Sequence, residues 1–332
     1  MKHMKVKNNS KKNYPDIPPV PVEIIKASSQ GRLIVFIGAG VSRIIGCPSW
    51  QQFADKVLRY LYETKRINFH EFENLRKLDP RKLLSICKQI ISEKGPNPTP
   101  DFKKMLSPAK ELSEKYKIYE NLFSWRAIYV TTNFDECLDK VALEKRPPPL
   151  RMKHFESEEQ SKIEPEISSK LIWSKEKLLV SNLNQSNVLH LHGSVIDVDS
   201  LIMTTSDYLN HYKPESEPAV MLKEIFDSYT VLFVGYGLEE YEILEYLVSK
   251  TSCIKGTLQH FMLYPMFKEE KNLFDFQKKY YTDLGIELIP YPIGESGYEH
   301  LNKVIEEWGK IIGPVAKPQG FYEKVKLIDE VI

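Results

Sequence analysis

One pattern restricts the fold of this chain more than any other, and it is written three times. "LIVFIGAGVS" (33–42), "RAIYVTTNFDECLDKVAL" (126–143) and "TVLFVGYGLEEYEILEYLVSK" (230–250) each begin as an apolar, β-branched run of strand length. Each run halts at a glycine or polar turn and continues as helix-forming sequence. A strand with one wet face alternates apolar and polar residues; these runs are apolar throughout, so both faces of their sheet must be covered. "NVLHLHG", "QHFMLYP" and "GIELIPYP" supply further strand candidates, and "SLIMTTSDYLNHY" reads as another strand followed by a helix start. Strands alternating with helices in this way predict an α/β fold on a doubly wound parallel sheet, of Rossmann-like type.

Between the repeats the chain makes two excursions. "PSWQQFADKVLRYLYET" places Trp50, Phe53, Ala54, Val57, Leu58 and Leu61 along one helical face, and Ser49 with Gln52 forms a capping-box start. The sequence stays mainly helical and lysine-rich up to residue 126, which predicts a helical subdomain inserted at about 50–126. The stretch 145–186, opening with "KRPPPLR", is polar and reads as a second departure from the sheet. Residues 1–30 read as a Lys-, Asn- and Pro-rich arm followed by a short helix ending before Gly31. Residues 31–313 form the predicted main domain, and 314–332 a polar tail too short for an appended sensor domain.

Composition narrows the function classes. Lys plus Arg number 46 against 45 Asp plus Glu, a net charge of +1, so no bulk field draws nucleic acid or an anionic membrane, and no direct nucleic-acid binding is expected. Hydrophobic residues at 42% allow a large core, yet no run reaches the roughly eighteen apolar residues of a membrane span. The first residues also lack the apolar core of a secretory signal, which predicts a cytoplasmic protein without membrane contact. Cys47, Cys87, Cys137 and Cys253 lie far apart with no CxxC pair, as isolated thiols in a reducing compartment would, and no structural zinc is expected.

In parallel sheets of this type ligands bind beyond the carboxyl ends of the strands, where the candidate chemistry falls. Gly38-Ala39-Gly40 followed by Ser42 could bring backbone N–H groups to a phosphate, or could be a turn that needs glycine for conformational reasons. A hydride-transfer fingerprint would need a small residue at 43, where Arg43 stands, and an acid ending a second strand, whereas Asp55 lies inside the amphipathic helix. Thr132, Asn133 and Asp135 follow a strand end; the amide and carboxylate could address a ribose hydroxyl or a carboxamide, or serve as turn and cap residues. Alternation puts His190 and His192 on one face of a strand. His190 reads as a hydrogen-bonded core residue; His192, at the strand end beside Gly193, is placed to act as a general base. Gly235 and Gly237 repeat the glycine logic, and Glu239 and Glu240 read as first-turn acids complementing a helix dipole.

Taken together and in order, "GAGVSRIIGCPSW", "TTNFD", "LHG" and "GYGLEEYEI" resemble the motifs of the sirtuin superfamily, and more closely its bacterial SIR2-like antiphage-defence branch, over residues 31 to about 300. The resemblance implies NAD as substrate. Gly38, Ala39, Gly40 and Ser42 would contact its diphosphate and neighbouring ribose, Asp135 its carboxamide, and Gly235 with Gly237 its adenosine half; Thr132 is included in the cofactor site. Asn133 would position the nicotinamide ribose and a water, and His192 would be the base. Protein-deacylating sirtuins typically carry a four-cysteine zinc module, Asp-Phe-Arg after the loop proline and Gln in the second motif. This chain has no such module, has Ser49-Trp50-Gln51 after Pro48, and has Thr132 at the Gln position. The expected activity is therefore NAD hydrolysis to nicotinamide and ADP-ribose by a regulated antiphage effector, controlled by homo-oligomerisation, a nucleotide signal or a separate sensor or regulator protein. NAD-dependent deacylation and a non-catalytic nucleotide-binding scaffold are the alternatives.

Overall fold

The computed structural model describes residues 15–93, 100–108, 117–145, 172–174, 177–238, 240–251, 260–293 and 297–315. The expectations for the N-terminal arm, most of the polar stretch after residue 145, Glu239, Cys253 and the tail beyond 315 lie outside the described residues. In chain order the first elements are α1 (Val22–Ser29), β1 (Leu33–Ile37), α2 (Ala39–Ile44), α3 (Trp50–Glu63), α4 (Phe69–Leu75), α5 (Pro80–Glu93), α6 (Phe102–Leu106) and α7 (Lys117–Phe123). Then come β2 (Ile128–Thr131), α8 (Cys137–Glu144), β3 (Ile172–Ser174), β4 (Val188–His190), α9 (Thr205–His211) and α10 (Glu217–Ser228). The chain continues through β5 (Thr230–Val234), α11 (Tyr241–Thr251), β6 (His260–Met266), α12 (Lys271–Asp283), β7 (Ile286–Pro292) and α13 (His300–Val315).

Among the described residues seven strands form one sheet in the order β3-β4-β2-β1-β5-β6-β7, and every pairing in it is parallel. From β1 the chain builds outward on one side through β2 and returns to lay β5 on the other, so strand order reverses beside β1. That reversal parts the connecting loops and opens a crevice beyond the carboxyl ends. Alternate residues of the central strands feed two cores. Val35, Ile37, Tyr129 and Val234 pack with α1, α7, α8 and α13, whereas Ile34, Phe36, Val130 and Phe233 pack with α10 and α11. This is why β1 reads as an unbroken apolar run: all five of its residues are buried.

A third core lies outside the sheet. Phe53, Ala54, Val57, Leu58 and Leu61 of α3 pack with Leu83, Leu84 and Cys87 of α5 and Leu106 of α6, and this core also takes in Phe134, Val195, Leu201 and Met203. Ser49 caps α3 reciprocally with Gln52, as the sequence predicts. The helical insertion differs from expectation at its far end, because Ile118, Tyr119, Leu122 and Phe123 of α7 belong to the sheet-covering core and not to this one.

Two strand assignments also change. Leu201–Met203 is not a strand; its apolar residues are buried beneath the inserted helices, and Ile202 N–H donates to His192 C=O in an irregular segment. Burial alone made that segment look like a strand. Conversely, Ile172–Ser174 within the polar stretch pairs with β4 as an edge strand, a three-residue piece too short to show a period.

Candidate active site

The glycine turns after β1 and β5 lie backbone against backbone. Gly38 N–H donates to Val234 C=O at 3.0 Å and Gly40 N–H to Gly235 C=O at 2.8 Å. A Cβ on Gly38 would sit 2.5 Å from the Gly235 carbonyl oxygen, and one on Gly40 2.7 Å from the same atom. Gly235 has φ +61°, and its added Cβ would meet Val41 N at 2.6 Å. Mutual packing therefore explains these three glycines before any ligand is considered. Ala39, Gly40, Gly235 and Gly237 line a cleft of about 800 Å³ above the strand ends, within the size range of small-molecule sites; Gly38 is not among its lining residues.

The β2 turn supplies the centre of the cleft wall. Thr131 Oγ1 donates to Ile37 C=O at 2.9 Å and accepts from Asn133 N–H at 3.0 Å, which ties the turn to β1. Asn133 Nδ2 then donates to Gly38 C=O at 3.1 Å and to Ser42 Oγ at 2.7 Å. With both amide hydrogens engaged, Oδ1 is the remaining polar atom of this side chain. Ser42 Oγ in turn donates to Asp135 Oδ2 at 2.7 Å and lies 2.8 Å from the Tyr119 hydroxyl. Asp135 Oδ1 accepts Cys137 N–H at 3.1 Å, so its carboxylate satisfies the first N–H of α8 and holds the Ser42 hydroxyl. Ser42, Asn133 and Asp135 are buried; Thr132 is half-buried, and all four line the cleft.

The two histidines part company because β4 ends at His190 and the alternation ends with it. His190 is fully buried, with Nδ1 3.0 Å from Asn133 C=O and Nε2 2.7 Å from Asp139 Oδ1 on α8. Burial is the largest influence and opposes its charge, but the Asp139 carboxylate, the Asn133 carbonyl and Asp135 together raise the His190 pKa. His192 turns instead toward the cleft, which it lines, with Nε2 2.6 Å from Tyr212 Oη and Nδ1 3.4 Å from Tyr208 Oη. Burial first, then His211 and Arg81, lower its pKa well below the ordinary histidine value, so His192 is neutral at pH 7. Gly193 has φ +84° and a Cβ there would strike Ser200 C=O at 2.1 Å, so this glycine serves the turn's close packing.

Sequence reasoning missed four residues grouped around His192, of which Glu240, Arg81 and Tyr208 line the cleft. α11 starts at Tyr241, so Glu240 precedes the helix and is not a first-turn acid; its Oε2 stands 3.3 Å from His192 Nε2. Arg81 reaches across from α5, pairs with Glu242 at 2.7 Å and lies 3.6 Å above the Tyr208 ring. Tyr208 and Tyr212 come from α9 and the residue that caps it. A carboxylate directly after the second glycine turn was the available signal for Glu240; nothing near Arg81 in the sequence marks it. The cysteines also differ from expectation, since Cys47, Cys137 and Asp135 bring their ligand atoms within 4.8 Å of one another, all buried. No helix among the described residues is long and apolar enough to cross a membrane.

A parallel sheet, strand-end glycine turns and an Asn–His pair in one cleft agree with a comparison of the sequence against family models, in which the SIR2-like domain matches residues 127–289. Just under half of the chain is thus similar to a SIR2-like domain. The match runs from β2 through most of β7 and includes Thr132, Asn133, Asp135, His192, Gly235 and Gly237, while the Gly38–Ser42 loop lies before it. A curated relative, defense-associated sirtuin 2 of Bacillus subtilis, is 25% identical over 225 residues, which cover 67% of this chain and 19% of that protein. The chain thus spans about a fifth of that relative's length.

Proposed function

We propose that the chain is an NAD glycohydrolase that releases nicotinamide and ADP-ribose, and that it acts as a regulated effector of antiphage defence. One observation carries the reading: Asn133 from the β2 turn and His192 from beyond β4 line the same cleft as two glycine turns. In this reading the diphosphate lies along Ala39 and Gly40 near the α2 start, the adenosine half lies over Gly235 and Gly237, and nicotinamide enters toward Asp135. The aromatic rings of Trp50 and Phe134, 5.4 Å apart, wall that end. Asn133 Oδ1 orients the ribose and a water, and neutral His192 takes a proton. A dry pocket with few, fixed dipoles favours the oxocarbenium-like state as nicotinamide leaves.

The defence role rests on the relative named as a defense-associated sirtuin. Unchecked NAD cleavage would harm the host cell, so a regulator protein, a nucleotide signal or self-assembly is proposed to gate it in the cytoplasm. The test is nicotinamide release from NAD by the purified chain, alone and with its genomic neighbours. Wild type is expected to release it under at least one condition, and Asn133→Ala and His192→Ala to fall by at least about 100-fold, the scale of a lost acid–base group. Release that requires an acyl-lysine peptide would favour deacylation, and NAD binding without turnover would favour a scaffold.

A further inference from the structure

We infer that Tyr119 is a positioning residue of Asn133: from α7, outside the cleft, its hydroxyl donates to Ser42 Oγ and so holds the serine that fixes the Asn133 amide. The inference deepens the NAD-cleavage reading and rests on it for what Asn133 does there. The Asn133 backbone is held on both sides, its N–H donating to Thr131 Oγ1 at 3.0 Å and its C=O lying 3.0 Å from His190 Nδ1. Two further contacts set the side chain. Gly38 C=O can only accept, so the amide end 3.1 Å from it is the NH2 group, and Oδ1 is turned away. The second amide hydrogen goes to Ser42 Oγ at 2.7 Å.

A serine hydroxyl has one hydrogen and two lone pairs. The Asp135 carboxylate, 2.7 Å from Ser42 Oγ, only accepts and so takes that hydrogen, while Asn133 Nδ2 fills one lone pair. The Tyr119 hydroxyl, 2.8 Å away, therefore donates to the other. Burial first, then the Asp135 charge, push the Tyr119 pKa well above the ordinary tyrosine value, so this hydroxyl keeps the proton it donates. The Ser42 hydroxyl is thus filled by protein groups and acts through Asn133 and Asp135. Tyr119 itself is 1% exposed, packs in the sheet-covering core and is not among the residues that line the cleft.

The test uses the full chain and Tyr119→Phe, which keeps the buried ring and removes only the hydroxyl. Tyr129→Phe is the control: that hydroxyl is buried in the same core but donates to Leu122 C=O at 2.7 Å, and neither residue lines the cleft. In proton–nitrogen NMR the Asn133 side-chain NH2 pair is assigned by its loss in Asn133→Ala. Tyr119→Phe is expected to shift this pair and speed its deuterium exchange by about 3- to 10-fold, the worth of one hydrogen bond, and Tyr129→Phe to leave it in place. Ser42→Ala removes the acceptor of the same bond and should free the amide at least as much, with Tyr119→Phe adding nothing to it. In nicotinamide release, Tyr119→Phe should lower kcat by about 10- to 100-fold with little change in KM, the scale of a misplaced catalytic group. Wild-type amide shifts and exchange in Tyr119→Phe overturn the inference whether or not NAD is cleaved. An amide that moves equally in Tyr129→Phe, or an unchanged kcat in a chain that does cleave NAD, overturns it too. An amide that moves in Tyr119→Phe alone, in a chain that never releases nicotinamide, upholds the positioning role and overturns the NAD reading instead.

Discussion

His190 and His192 sit two positions apart and face opposite fates. His190 is sealed against Asp139, so His190→Ala leaves a buried carboxylate without its partner and should cost about 3–5 kcal/mol in urea unfolding. His192→Ala should instead keep most of its stability and lose catalysis. A neighbour makes the site pH-sensitive: burial lowers the His211 pKa to about 4 from 6.5. Between those values the unfolded chain binds the extra proton, so stability present above the higher value is lost as pH falls toward the lower one. The loss from His211 alone should be about 2 kcal/mol between about pH 7 and pH 5, and His211→Gln should remove it in paired urea titrations. His190, whose pKa is raised, works in the opposite sense. Asn133 and His192 were legible as strand-end polar residues. Glu240 and Arg81 were not, because their meaning depends on which side chain stands across the cleft.

Among the elements, the two glycine turns behave as one unit. Gly235→Ala would force a side chain into φ +61° and against Val41 N, so it should destabilise the fold by about 2–4 kcal/mol without NAD present. Thermal unfolding measures this, and a variant as stable as wild type would show that the turns can separate. The inserted helices carry their own core, so Phe53→Ala, at a fully buried position of α3, should cost about 3–5 kcal/mol. Because Phe134 from the β2 turn shares that core, the same change should also weaken nicotinamide release. The amphipathic stripe of α3 was readable from its period. That α7 leaves the insertion to cover the sheet was not, since a short apolar helix face fits either core equally well.

At the scale of the whole molecule, the cleft exists because strand order reverses beside β1 and parts the loops after β1, β2, β4 and β5. A ligand that binds there and not to the unfolded chain must stabilise the fold. NAD at 100 times its Kd should therefore raise the stability of the His192→Ala variant by about 2.7 kcal/mol, read as a shift in thermal unfolding with substrate left intact. The amino-acid order by itself determined the α/β class, the parallel sheet and the strand ends on which the chemistry sits, because two-sided burial and turn chemistry are written locally. It did not determine the partners. The pairing of His190 with Asp139 and of Ser42 with Asp135, and the hydrogen bond of His192 to Tyr212, were decided only by tertiary structure, since each joins residues from elements that meet only in the folded sheet.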